Sequence, residues 1–167
     1  EEVSAIEAWV KRGGGLLTLS GYDSSKTEII PVNKILAPFG IEYNGDTAAP
    51  TSSGSSIPIT DWKSDSPISP HVTAVGMISG RSVRDLDGTG ILTAHFKSTK
   101  TTGEWDLGFT KQVGEGHIFS WADEWVTYSS EWKNDKLFQV QQFWYNALSF
   151  LTPKAACELK VVDVILK

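Results

Sequence analysis

Glu7-Ala8-Trp9-Val10-Lys11-Arg12-Gly13-Gly14-Gly15-Leu16-Leu17-Thr18-Leu19-Ser20-Gly21-Tyr22 joins a helical pattern, a run of three glycines and a short apolar run in one continuous segment. Upstream of the glycines, Val3, Ile6, Trp9 and Val10 recur at helical spacing and predict one apolar helix face over residues 2–12. Glu1, Glu2 and Glu7 come early and Lys11 and Arg12 last, which suits the helix dipole. Gly13 to Gly15 end the helix, and Leu16 to Leu19 then read as a short buried parallel strand. Helix, glycine turn and buried strand make half of a βαβ unit, whose opening strand is expected before Glu1.

A second glycine-then-strand segment lies far downstream, at Gly114-Glu115-Gly116-His117-Ile118-Phe119-Ser120-Trp121-Ala122-Asp123-Glu124-Trp125. Each strand stops at polar residues or glycine. In an open α/β sheet the carboxyl ends of strands face the ligand crevice. That rule makes Ser20, Gly21, Tyr22, Asp23, Asp123, Glu124 and Trp125 the candidate ligand-binding residues. A second reading of Asp123 stands beside this one: a cap on the next helical turn, with Glu124 solvated.

Between the two segments, the pattern predicts a short helix from Asn33 to Phe39 closed by Gly40, and a strand over Ile41 to Tyr43. Residues 44–56, rich in Gly, Ser, Thr, Ala and Pro, read as a long loop. Short strands are expected within 57–62, 72–78 and 80–83, and a strand–hairpin–strand unit over Ile91–Lys97 and Trp105–Val113. Leu137 to Leu151 is the strongest helix, with apolar residues on most of its circumference, and is expected to be well buried. Pro153 ends it, and Leu159 to Leu166 read as a final strand or tail.

The chain has 167 residues, 40% hydrophobic and 21% charged, which fits one soluble domain. The net charge of −5, with Lys and Arg scattered, argues against nucleic acid as a partner. No apolar run approaches the length needed to cross a bilayer, so no membrane insertion of this segment is expected. The start at Glu1-Glu2 without an initiator Met is read as a processed protein or a piece of a longer chain. A single cysteine, Cys157, makes neither an internal disulfide nor a Cys-based zinc site. Asp85-Leu86-Asp87-Gly88 lacks the later ligands of a calcium loop, and neither glycine turn matches a phosphate-binding motif. No cofactor and no metal are expected. Seven tryptophans are many for this length. They serve core packing or, at Trp121, Trp125 and Trp132, a flat platform for a glycan.

Six motifs occur in order: Gly13-Gly14-Gly15-Leu16-Leu17, Asn33-Lys34-Ile35-Leu36-Ala37-Pro38-Phe39-Gly40-Ile41, Ser69-Pro70-His71-Val72, Gly114-Glu115-Gly116-His117, Ala122-Asp123-Glu124-Trp125 and Tyr145-Asn146-Ala147-Leu148-Ser149-Phe150-Leu151. The series resembles the class I glutamine amidotransferase-like superfamily, specifically its non-enzymatic branches. The resemblance implies a three-layer α/β/α flavodoxin-like domain over residues 1–152. Its sheet would be mostly parallel, with an antiparallel hairpin extension and the first strand or strands missing, and residues 153–167 would form a C-terminal strand or tail. Enzymatic members carry a cysteine on a strand-to-helix elbow, which falls here at Leu19-Ser20-Gly21-Tyr22-Asp23, where no cysteine stands.

The resemblance therefore implies a non-catalytic domain of a larger protein, acting in ligand or protein binding or in assembly. Its partner would be another protein or the rest of the parent chain, with a small molecule or glycan as ligand. A first alternative makes Ser20 the nucleophile of a hydrolase or amidase, which requires a base beside it. His71, His95 and His117 are the neutral-pH bases available for that role, and each also reads as a structural residue. A second alternative is a carbohydrate-binding accessory domain built on the three tryptophans. Low Lys and Arg with many Ser, Thr, Gly and Trp favour a periplasmic or extracellular location.

Overall fold

The computed structural model describes residues 1–21, 27–51, 55–100 and 102–152. The expected strand over Leu159–Leu166, Cys157, and the candidate residues Tyr22 and Asp23 lie outside the described residues.

Helix α1 (Glu2–Lys11) buries Val10 and ends where Gly13 takes a positive φ of 106°. The chain then enters β1 (Gly15–Leu19). Helix α2 (Ile29–Leu36) starts four residues earlier than its pattern suggests. A 3-10 turn (Ala37–Phe39) continues it, and Gly40 closes that turn in the left-handed conformation. Then come β2 (Ile41–Tyr43), β3 (Ile57–Ile59), β4 (Asp61–Trp62), β5 (Val75–Met77), β6 (Val83–Asp85), β7 (Ile91–Lys97), β8 (Glu104–Val113) and β9 (Gly116–Trp121). A 3-10 turn (Glu124–Thr127), α3 (Ser129–Lys133) and α4 (Val140–Leu151) complete the described chain.

The main sheet has five strands in the order β1-β9-β8-β7-β4. Among the described strands only β1 and β9 run parallel, in register from Gly15 beside His117 to Leu19 beside Trp121. The pairs β8–β9, β7–β8 and β4–β7 are antiparallel, as are the small two-stranded sheets β2–β6 and β3–β5. The expectation of a mostly parallel, flavodoxin-like three-layer sheet is therefore wrong. The reason is in the connections. Gly114-Glu115 joins β8 to β9 and a short loop joins β7 to β8, and such links can only reverse direction, whereas a parallel neighbour needs a crossover of a dozen or more residues. The hairpin read as an extension is the body of the sheet.

Side chains alternate across the parallel pair. Phe119 and Trp121 point to the face covered by α4, where their rings meet Phe143 at centroid distances of 5.7 and 5.3 Å, and Trp62 stacks on Trp121 at 5.5 Å. Thr18 and Ser120 point to the other face and share a hydrogen bond of 2.9 Å, and the Tyr43 hydroxyl lies 2.9 Å from Thr18 Oγ1 and donates to the Trp121 carbonyl at 3.2 Å. Burial pushes the Tyr43 hydroxyl pKa well above its usual range. The core thus lies on both sides of β1 and β9, and it fixes where both strands end. The helix α4 is less buried than its composition implies: Tyr145 and Leu148 are exposed, opposite a core face formed by Val140, Phe143, Ala147 and Leu151.

Candidate functional site

The in-register parallel pairing puts the carboxyl ends of β1 and β9 side by side, so Ser20-Gly21 and Ala122-Asp123-Glu124 meet as the sequence predicts. The Ser20 amide donates to the Trp121 carbonyl at 3.3 Å, extending the ladder one step beyond β1. The Ser20 hydroxyl is buried, and its hydrogen-bond partner is the Gly21 carbonyl at 3.4 Å. Among the described residues no histidine or carboxylate is hydrogen-bonded to it.

The three histidines are placed elsewhere. His117 opens β9 at the opposite end, beside Gly15, five residues and roughly 16 Å from Ser20 at about 3.3 Å per residue. Burial lowers its pKa, and its ring packs on Phe150. His95 lies 2.8 Å from Asp106 and 3.5 Å from Glu104, on the β7–β8 pair. His71 is exposed in the turn after Pro70, with a positive φ of 61°.

Asp123 is the anchor of the site. It is 2% exposed, its Oδ1 accepts the Trp125 amide at 3.1 Å, and its Oδ2 accepts the Ile78 amide. It caps the 3-10 turn Glu124–Thr127, as the structural reading of this residue proposed, and it also ties the β9 end to the segment after β5. Burial raises its pKa to about 7, with the neighbouring Glu124 charge adding to the effect and the backbone amides opposing it.

Glu124 is exposed, and a Cβ built on Gly21 would fall 2.8 Å from its carboxyl carbon. Its Oε1 accepts the Tyr128 hydroxyl at 3.2 Å, and its charge raises the pKa of that hydroxyl. Trp125 stacks on Tyr128 with centroids 4.4 Å apart and donates its indole N–H to Glu131 Oε1 at 2.6 Å. Trp132 is partly exposed and donates to the Val126 carbonyl, whereas Trp121 is fully buried. A flat platform of all three tryptophans is thus excluded, because Trp121 belongs to the aromatic core.

Sequence reasoning missed the other wall of the site. Glu131 is 4% exposed. Its Oε1 also accepts the Ser56 hydroxyl at 3.2 Å, and its Oε2 has no hydrogen-bond partner among the described residues. Glycine at position 76 makes this burial possible: a Cβ there would lie 2.0 Å from Glu131 Oε2. A glycine inside the apolar run Ala74 to Met77 is a legible sign of close approach.

Behind Asp123, the Arg81 amide donates to the Ala122 carbonyl at 2.8 Å, and the buried Arg81 guanidinium donates to the Asp46 carbonyl. Ala49 and Ser79, both with positive φ at 47° and 51°, meet here through the Ser79 amide and Ala49 carbonyl at 3.4 Å. Two non-glycine residues in this strained region mark a segment held by its surroundings.

A groove of about 870 Å³ lies away from the strand ends, between Pro50, Thr51 and Ser55–Pro58 on one side and Phe96–Lys100 on the other. It adjoins the site through Ser56, which lines the groove and bonds Glu131. Among the described residues no group of His, Cys, Asp and Glu is arranged to hold a metal ion, and no helix is long and apolar enough to cross a membrane.

No protein-family model and no curated protein matches the chain. Solved structures do. The cytoplasmic protein STM1381 from Salmonella typhimurium LT2 superposes with a TM-score of 0.61 at 13% identity over 91% of this chain and 61% of its own. The exo-beta-1,4-mannosidase Op5Man5 from Opitutaceae bacterium strain TAV5 superposes with a TM-score of 0.49 at 19% identity over 90% of this chain and 23% of its own. The chain thus spans less than two thirds of either protein. The likeness to the Salmonella protein shows a shared fold.

Proposed function

We propose that this chain is a non-catalytic binding domain of a larger protein, whose ligand or partner docks at the carboxyl ends of β1 and β9. The observation that carries this reading is that, among the described residues, the buried Ser20 hydroxyl at the meeting of the two strand ends has no base hydrogen-bonded to it. Among the described residues the Ser20 hydroxyl bonds the neighbouring Gly21 carbonyl, while the buried Asp123 anchors a segment that presents the exposed Glu124 carboxylate and the stacked Trp125–Tyr128 pair as an acidic and aromatic rim at the strand ends. Such a rim suits hydroxyl-rich or cationic ligands: carboxylates accept from hydroxyl or ammonium donors, and the stacked Trp125–Tyr128 pair offers an apolar face. The ordered motifs support kinship with the non-catalytic branch of the amidotransferase-like superfamily, without its parallel sheet. A periplasmic or extracellular location is part of the proposal and rests on composition alone.

The test is a titration with oligosaccharides and with basic peptides, followed by amide chemical shifts and Trp125 fluorescence. Shifts concentrated at Gly21, Glu124 and Trp125, with no ester or amide turnover, are the expected result. Turnover abolished by Ser20→Ala in a folded protein would establish the hydrolase reading instead. Shifts centred on Trp125 and Trp132 with neutral glycans would favour the carbohydrate-binding reading, for which two of the three expected indoles remain accessible.

A further inference from the structure

Strand β1 stands at the edge of the main sheet, and among the described residues it pairs on one side only. The hydrogen bonds show which groups face outward. Gly14 accepts from the His117 amide at 3.1 Å, and Ser20 donates to Trp121 at 3.3 Å, so even-numbered residues turn their backbone groups to β9. By the alternation of a parallel ladder, Gly15, Leu17 and Leu19 present theirs to the open side. The edge Gly15-Leu16-Leu17-Thr18-Leu19 carries no charge, no proline and no bulge, the devices that protect exposed edges from pairing.

The charges at its two ends differ in sign. Arg12, at the amino end, is exposed and has no ion-pair partner among the described residues. Glu124, at the carboxyl end beside Gly21, is also exposed and without an ion-pair partner among them. A second copy related by a twofold axis meets this edge antiparallel. Gly15 then pairs with Leu19, Leu17 with Leu17, and Arg12 of each copy comes to the Glu124 end of the other. Parallel addition would bring like ends together. Isologous edge pairing satisfies both the backbone groups and the charges.

We propose that two copies of this chain dimerise through their β1 edges into one continuous sheet, with Arg12 and Glu124 paired across the twofold. The inference rests on the edge, and Arg12, which lies outside the crevice rim that Glu124 belongs to, separates self-pairing from crevice binding.

The test is analytical ultracentrifugation of the intact chain, with amide exchange at several concentrations. A monomer–dimer equilibrium is expected, with the Leu17 and Leu19 amides gaining protection as concentration rises. Arg12→Glu or Glu124→Arg alone should weaken the dimer on the order of tenfold, through like charges at both ends of the interface. The double reversal, which restores opposite charges, should recover it. Both substitutions are at exposed positions, and circular dichroism checks that each variant folds. A monomer at every attainable concentration overturns the proposal. So does concentration-independent protection of Leu17 and Leu19, which would mean that the edge is covered within one chain, and so does a double reversal that restores nothing.

Discussion

Gly21 and Glu124 touch: the space where a Cβ would stand on Gly21 is 2.8 Å from the Glu124 carboxyl carbon and 2.9 Å from its Oε1. The contact joins the ends of two strands that are distant in sequence. Glu124 is exposed, so its side chain can swing away when the space is filled. Gly21→Ala should cost stability by less than about 1 kcal/mol, within the range of surface substitutions, yet displace the carboxylate from the rim. The expected outcome is an unchanged melting curve with ligand-induced shifts lost at Glu124 and Trp125. Full ligand response in the folded variant would remove Glu124 from the site.

Asp123 gives the domain a pH signature. Its pKa rises on folding from the ordinary 3.8 to about 7, chiefly because burial penalises the charged form. The folded state therefore binds the proton more tightly than the unfolded state. The resulting stabilisation is complete below pH about 4, declines as pH rises toward 7, and is absent above. The slope contributed within that window approaches about 1.4 kcal/mol per pH unit. Urea unfolding of the wild type and Asp123→Asn across this range should show the extra slope in the wild type alone. Equal slopes would mean that Asp123 is ionised throughout.

Glu131 and Gly76 form a lock behind Trp125. A methyl at position 76 would stand 2.0 Å from Glu131 Oε2. The carboxylate has little room to retreat, because its other oxygen holds Trp125 and Ser56. Gly76→Ala should destabilise by about 2 kcal/mol through overpacking and shift Trp125 fluorescence as the indole loses its acceptor. Combining it with Glu131→Ala should cost less than the two singles summed, since the second change removes the clash created by the first. Additive costs in a double-mutant cycle would disprove the lock.

The long elements were legible because each carries its own pattern. The α1 face, the Gly13–Gly15 stop, the β7–β8 hairpin, β9 and α4 all stand close to where periodicity and glycine place them. The meeting of Ser20-Gly21 with Asp123-Glu124 followed from two strand ends in a shared sheet. Sheet direction was misread because it depends on connection length, and the short β8–β9 link outweighed the apolar look of the strands. Glu131 was invisible for a different reason. In Ser130-Glu131-Trp132 it reads as a solvated helical residue, and only the absent side chain of Gly76, on a distant strand, makes room for it. Tyr145 and Leu148 show the converse, apolar residues left outside once α4 had a sufficient core face.

Lys111 is the buried charge on which the opposite corner depends. Its side chain is 5% exposed, and its ammonium reaches Asp87 at 2.6 Å, the Phe39 carbonyl at 2.7 Å and Asp85 at 3.4 Å. One cation thus ties β8 to the turn between β6 and β7 and to the end of the 3-10 turn before β2. The hydrogen bond from Lys111 holds the Asp87 carboxyl pKa well below the usual range, with Thr89 contributing further bonds. Lys111→Met keeps the aliphatic length but leaves the Asp85 carboxylate, also 5% exposed, without its cation. Breaking a buried pair from one side costs about 3 kcal/mol or more, because the remaining charge stays desolvated. The variant should melt several degrees lower, with the loss concentrated at Phe39, Asp85 and Thr89 in amide exchange. Asp85 and Lys111 replaced together by apolar residues should recover part of it. A Lys111→Met protein as stable as the wild type would show that water already reaches this corner, and that the ion pair contributes nothing to holding β2 and β6 beside the sheet.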